Sequence, residues 1–179
     1  RKACTVPRSV SRRDLITGGF GLGAVTLLGG CSASSGVSPP PPVRIPPTPS
    51  LGVPSVRAVL QPGISQVDLG GIIASTWCYD GQVPGTPLRT AAGDVVQVRV
   101  RNQLPVETSV HWHGIRLHNA ADGVPGITQD PIASGAEYTY TFKAPDPGTY
   151  FFHPHSGVQI DRGLYAPLIV DDPAEPGGY

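Results

Sequence analysis

Short runs of alternating apolar and polar residues dominate the chain from Val53 onward. Val96, Val98 and Val100 are separated by polar side chains, and the same alternation recurs at positions 138–142. Successive side chains of a strand point to opposite faces, so this period predicts strands with one buried face. Helical periodicity is absent, and Gly, Pro, Asn and Asp separate the runs. We therefore predict an all-β sandwich or barrel of antiparallel strands over residues 53–179. Further strand candidates are residues 72–79, 108–113, 149–153 and 164–170.

The first thirty residues follow a different pattern. Arg12 and Arg13 precede an uncharged, Gly-rich apolar run from Thr17 to Gly30. A basic segment followed by a short apolar one is typical of a secretory signal, and paired arginines favour the bacterial twin-arginine route. The run is too short to span a bilayer, which needs about 20 residues, and too rich in glycine for a core helix. Residues 1–30 are therefore predicted to be a twin-arginine signal peptide.

The end of that run, Leu-Gly-Gly-Cys31, resembles the cleavage box of lipoprotein signals. It predicts cleavage before Cys31 and acylation of this cysteine. Residues 31–52 are rich in Ser and then in Pro, and such a segment buries too little surface to offset its ordering entropy. It is predicted to be a disordered, extended spacer; a proline motif for a partner protein is the alternative. We expect an exported, lipid-anchored protein on the periplasmic or extracellular face of the cell envelope.

Charge and cysteine content exclude several classes of protein. Residues 1–30 carry five basic residues and one acidic residue, so the remainder carries eight basic and twelve acidic residues. A mildly acidic domain lacks the excess of positive charge that binds nucleic acid, so nucleic-acid-binding proteins are excluded. The three cysteines are far apart and form no CxxC motif, which indicates neither a zinc cluster nor a disulfide framework. Because the sequence begins with Arg and contains no Met, we expect the true start to lie upstream.

Four of the five histidines form two His-x-His pairs, His111 with His113 and His153 with His155. Residues i and i+2 of a strand share a face, so two neighbouring strands would bring four imidazoles together. Imidazole is a ligand for copper, zinc, iron and nickel. The alternative is that each pair is structural and faces water or the core. His118 has no partner at ligand spacing and is predicted to be an ordinary surface residue.

Spacing alone does not select the metal. A zinc hydrolase needs a nearby glutamate base, and the nearest candidates, Glu107 and Glu137, belong to no zinc-protease motif. Trp112 lies between two candidate ligands and must point to the opposite face. It is predicted to pack in the core rather than to relay electrons.

Four segments define the local pattern around the histidines: residues 109–114 (SVHWHG), 121–126 (ADGVPG), 147–156 (PGTYFFHPHS) and 163–170 (GLYAPLIV). In order and separation they resemble the first cupredoxin domain of multicopper oxidases, a Greek-key β-sandwich. Residues 80–89 (DGQVPGTPLR) resemble the opening strands of that domain. The resemblance covers residues 56–179 and is greatest to laccase-like oxidases of actinobacteria, which share a twin-arginine lipoprotein leader.

The resemblance implies a trinuclear copper cluster that reduces dioxygen to water. In that cluster His111 would bind the type 2 copper, His113 and His153 one type 3 copper, and His155 the other. Asp122 matches an acidic residue that assists proton delivery in the family, although Asp-Gly is also a common turn pair.

Other parts of the family pattern have no counterpart in residues 1–179. These are the type 1 copper site, with its Cys and His ligands, and four further histidines of the cluster. We expect downstream cupredoxin domains of the same protein to supply them, and the fragment alone to be inactive. Cys78 lacks the disulfide partner of eukaryotic relatives, because Asp130 stands at that position. It is predicted to be a buried strand residue.

Three functions are compatible with these motifs. The first is a multicopper oxidase that oxidises phenols, aromatic amines or low-valent metal ions with dioxygen as acceptor. The second is a non-catalytic copper-binding lipoprotein that sequesters or hands on the metal. The third is a zinc-dependent hydrolase.

Overall fold

The structure, a computed structural model, describes residues 47–175. No described helical turn is long and apolar enough to cross a membrane. The signal residues Arg12 and Arg13 and the acylation candidate Cys31 lie outside the described residues. The elements are β1 (Val56–Leu60), β2 (Pro62–Asp68), β3 (Ile73–Tyr79), β4 (Leu88–Ala91), β5 (Val95–Arg101), β6 (His111–His113), a 3-10 turn (Asn119–Ala121), β7 (Glu137–Lys143), β8 (Gly148–His153), a second 3-10 turn (Ile160–Arg162) and β9 (Ala166–Asp171).

The strands form three sheets, with the orders β1-β5-β7, β2-β3 and β4-β9-β8-β6. The all-β prediction is confirmed, and four strand pairs are antiparallel as predicted, whereas two are parallel. β1 pairs with β5 in parallel, and β4 pairs with β9 in parallel. Parallel neighbours need a long crossover connection. Here several strands intervene in the chain between the two members of each parallel pair, so local turn signals do not reveal the pairing.

The core lies between the three-stranded and four-stranded sheets. All three valines of the alternating run in β5 are fully buried, and they lie beside Tyr140 and Phe142 of β7. Trp112 of β6 is also fully buried, with its ring centroid 4.7 Å from that of Phe142 and 5.4 Å from that of Phe152. This confirms that Trp112 packs in the core. Because Trp112 points inward, its neighbours in β6 point to the opposite face of the sheet.

Two predicted strands are shorter than expected. In residues 108–113 only His111–His113 pairs regularly, because the Val110 amide donates to the Tyr140 hydroxyl and Thr108 forms an isolated bridge with Ile132. The strand predicted at 164–170 begins only at Ala166, since the Gly163 backbone has φ 112° and turns the chain there.

The sequence pattern did not predict two strands near the start of the domain. A third strand, β4, covers only part of the segment that was expected to form strands. β2 was missed because it opens with Pro-Gly and carries an exposed Ile64, and β1 was missed because its exposed Val59 interrupts the alternation of apolar and polar residues. Within the segment that resembles the opening strands, Asp80 and Gly81 form a turn, whereas Leu88–Ala91 is strand β4. Cys78 is a buried free thiol in β3, as predicted.

Candidate metal centre

His111 and His153 are direct partners in the antiparallel ladder between β6 and β8. The short pairing of these two strands extends only over His111–His113 on one side and Phe151–His153 on the other. Antiparallel partners share a face, so His111, His113 and His153 point away from Trp112. The ladder thus brings three imidazoles to one end of the four-stranded sheet. His155 follows the end of β8, and its ring centroid lies 4.4 Å from that of His111.

The four imidazoles form one cluster. The ring centroid of His111 lies 4.4 Å from that of His155, 5.5 Å from that of His153 and 5.7 Å from that of His113. His113 Nδ1 lies 3.1 Å from His153 Nε2. One ring nitrogen each of His111, His153 and His155 lies within 4.8 Å of the other two, close enough for a shared metal site. The predicted convergence is therefore present, and His118 lies outside it.

Asp122 fixes the ring of His111. His111 Nδ1 lies 2.7 Å from the Asp122 carbonyl oxygen and 3.3 Å from its carboxylate Oδ1. A nitrogen that donates to these oxygens carries the proton, which leaves Nε2 with a free lone pair. A hydrogen bond from one ring nitrogen to a carbonyl or carboxylate is the usual way in which metal-binding histidines are oriented.

Gly123 permits this approach of Asp122 to His111. Its backbone has φ 76°, a conformation that favours glycine. A β-carbon at this position would stand 1.8 Å from the carbonyl oxygen of Val110. The sequence indicated an Asp-Gly turn, but it gave no sign that the turn packs directly against the strand that carries His111.

Two imidazoles of the cluster have lowered pKa values. Burial is the main cause that lowers the pKa of His153, while the hydrogen bond between its Nδ1 and the Pro154 carbonyl oxygen, at 3.0 Å, acts in the opposite direction. Partial desolvation of the ring, followed by the charge of His111, lowers the pKa of His155. Because neutral imidazole is the form that binds metal, these shifts favour metal binding at neutral pH.

Phe151 holds the ring of His113. The two rings stack with a centroid distance of 4.5 Å and an interplanar angle of 26°. Phe151 also stacks on His153, at 5.0 Å and 21°. The sequence pattern did not indicate a role for Phe151, although its position two residues before His153 places it on the same face of β8.

The donor set fits a soft or borderline transition metal. All four converging donors are imidazole nitrogens, and Asp122 is the carboxylate beside them. Imidazole suits copper, zinc, iron and nickel, whereas magnesium and calcium prefer oxygen ligands. Glu137 forms an ion pair with Arg101 at 2.8 Å on the β5–β7 ladder, so it is not the base of a zinc site.

Comparison with known proteins identifies the family. Residues 64–175 match the sequence profile of multicopper oxidases. The chain belongs to the multicopper oxidase family. Multicopper oxidase MmcO of Mycobacterium tuberculosis is 50% identical over 125 residues, which are 70% of this chain and 25% of that protein. A copper resistance protein A homolog of Pseudomonas syringae pv. tomato is 38% identical over 167 residues, which are 93% of this chain and 27% of that protein.

The solved structures agree with this assignment. The crystal structure of Lac15, from a marine microbial metagenome, matches with a TM-score of 0.59 and 42% identity, covering 68% of this chain and 33% of that one. This confirms the cupredoxin fold predicted from the resemblance. Membership of the multicopper oxidase family implies copper as the cofactor, and the histidine cluster is compatible with this metal. The chain spans about a quarter of the length of the two relatives above.

Proposed function

We propose that this chain supplies half of the trinuclear copper site of an oxidase that reduces dioxygen to water. The observation that carries the proposal is the pairing of His111 with His153, which gathers three imidazoles on one face, with the His155 ring 4.4 Å from that of His111. Bound copper would supply the change of oxidation state that zinc lacks, so that electrons from the reducing substrate could pass to dioxygen. The reducing substrates would be phenols, aromatic amines or low-valent metal ions.

Each imidazole has its own role in this proposal. His113 and His153 would hold one type 3 ion together, which is supported by the 3.1 Å separation of their nitrogens. His111 would hold the type 2 ion through Nε2, because its Nδ1 is directed to Asp122. His155, which is exposed, would hold the second type 3 ion.

Asp122 would combine two roles beside the cluster. Its carbonyl orients His111, and its carboxylate lies 3.3 Å from His111 Nδ1 on a side chain that is 39% exposed to solvent. A carboxylate in this position is suited to pass protons from water toward dioxygen as it is reduced.

Four additional histidines and a type 1 copper site would come from further cupredoxin domains of the same protein. This is supported by the share of each relative that the chain covers, about a quarter. The same domains would carry the surface at which the reducing substrate docks.

We further propose export by the twin-arginine route, acylation of Cys31 and a place at the cell envelope. Arg12, Arg13 and the Cys31 box carry this proposal. The match to the Pseudomonas relative covers 93% of the chain, so the similarity extends into the segment before Val53.

The test is oxygen consumption by the whole protein encoded by the gene, with a phenol and with cuprous ion as reductants. His111→Ala and His155→Ala should each lower the rate at least about a hundredfold, since even partners of metal ligands contribute 10–100-fold. His118→Ala, outside the cluster, is the matched control and should retain the rate. Copper binding without oxygen consumption would instead favour a sequestering lipoprotein.

A further inference from the structure

His155 differs from its three partners because it lies outside the β ladder. β8 ends at His153, and Pro154 has no amide hydrogen with which to continue the pairing. His155 is exposed, and it opens the loop that leads to the 3-10 turn Ile160–Arg162. An exposed ligand on a loop needs other contacts to hold its position, because loops are more mobile than the strands they connect.

A buried glutamine attaches this loop to the body of the domain. Gln159 is 7% exposed. Its Nε2 donates to the Glu107 carbonyl oxygen at 2.8 Å, and its Oε1 accepts from the Thr108 hydroxyl at 2.6 Å. Thr108 is itself fully buried. Both ends of the amide are therefore used, and both contacts lie in the segment that leads directly into His111.

A second contact acts on His155 itself. The His155 amide donates to Ser109 Oγ at 3.1 Å, and Ser109 is fully buried two residues before His111. Residues 107–109 thus hold the loop at two points, the His155 backbone and the Gln159 side chain. These side-chain hydrogen bonds connect the two histidine-bearing segments in the region beyond the end of the ladder between β6 and β8.

We propose that Gln159 is a positioning residue for His155. Through Thr108 and Glu107 it fixes the loop in which His155 lies, and so sets the distance from His155 to His111 and His153. The relevance of this inference to copper rests on the proposed function. The two hydrogen bonds of Gln159 to Glu107 and Thr108, here called the clamp, do not themselves depend on bound copper. Gln159 does not contact the metal ligands' ring nitrogens and acts through the backbone of its loop.

The test uses the full 179-residue chain. It compares two substitutions in the clamp with one substitution in the core, at a position distant from His155. Gln159→Met keeps the length of the side chain and removes both hydrogen bonds. Thr108→Val keeps the shape and removes the donor to Gln159, so it decides the question if Gln159→Met does not fold. Val170→Ala, at a buried position of β9, is the control for a general loss of stability.

Two quantities are measured: amide hydrogen exchange by NMR and the affinity for Cu(II) alone. In both clamp variants, exchange at the His155 amide should rise at least about tenfold relative to the Val98 amide of β5, since local opening is faster than global unfolding. Cu(II) affinity should fall about tenfold, the lower end of the effect of losing an outer-shell partner. Val170→Ala should raise exchange at the Val98 amide, which exchanges through global unfolding, more than at the His155 amide, and it should leave Cu(II) affinity within about twofold of wild type.

An unchanged ratio of His155 to Val98 exchange in the clamp variants would overturn the proposal, as would Cu(II) affinities equal to that of Val170→Ala. If the wild-type chain binds no Cu(II), the proposed function fails, while the exchange ratio still decides whether Gln159 holds His155.

Discussion

Phe151 and His113 are partners in the ladder between β6 and β8, and their rings stack because ladder partners share a face. We expect Phe151→Leu, which keeps an apolar side chain but removes the stacking, to release the ring of His113. Such aromatic contacts contribute about 0.5–1.5 kcal/mol beyond burial. NMR of the histidine rings should show broadening at His113 and little change at His111. Thr149→Val, on the same face of β8 but exposed, is the control and should leave both rings unchanged.

The close approach of Gly123 to Val110 gives a prediction about stability. Gly123 and Gly126 have nearly the same backbone angle, φ 76° and 74°, but a β-carbon at position 126 would meet nothing within 4 Å. Gly126→Ala should therefore lower the free energy of unfolding by about 1 kcal/mol, the cost of the backbone conformation alone. Gly123→Ala carries an added backbone clash and should cost several times more. Urea unfolding measures both, and equal losses would contradict the account of Gly123.

Trp112 should behave as a core residue. It is fully buried, and its Nε1 makes no hydrogen bond within the described residues. Trp112→Ala should lower the free energy of unfolding by about 3–5 kcal/mol, and Trp112→Phe by clearly less, because phenylalanine leaves a smaller cavity. Copper affinity should change little in Trp112→Phe. A loss of copper binding in a variant that remains folded would show that Trp112 does more than pack.

We expect the free energy of unfolding to depend on pH through the carboxylate of Asp94. Its carboxylate accepts hydrogen bonds from the Ala91 amide, the Ser55 hydroxyl and the Thr90 hydroxyl, and these bonds lower its pKa below the ordinary value of 3.8. A carboxylate with a depressed pKa stabilises the folded state fully above the unfolded value, and this contribution is lost as pH falls through the folded value.

The free energy of unfolding of wild type and Asp94→Asn should therefore differ by a constant amount at neutral pH. The difference should shrink only below about pH 3.8 and level off under the folded pKa. A difference that already shrinks between pH 7 and pH 5 would contradict this assignment. Urea titrations at each pH provide the comparison.

Sequence alone predicted those features that depend on local pattern. The valines of β5 alternate because one face of the strand is buried, and the same period places the two histidines of each pair side by side. The parallel pairing of β1 with β5 was not predictable in this way, since strand partners distant in the chain leave no local signal. β2 was missed because its exposed Ile64 breaks the alternation.

The supports of the metal site also escaped the sequence. Gln159 holds Thr108 and Glu107 only after the chain has folded, and no spacing rule connects residues so far apart. The role of Gly123 depends on its approach to Val110, which is again a tertiary contact. The ligands were thus visible in the pattern, whereas the residues that orient them required the structure.

The measurement that tests the central claim most directly is titration of the 179-residue chain with Cu(II) and Zn(II), followed by electron paramagnetic resonance of the copper form. The account predicts preference for copper, a signal with coupling to histidine nitrogens, and loss of that signal in His111→Gln and His153→Gln but not in His118→Gln. Zinc retained in preference to copper, or an equal loss of the signal in His118→Gln, would contradict it.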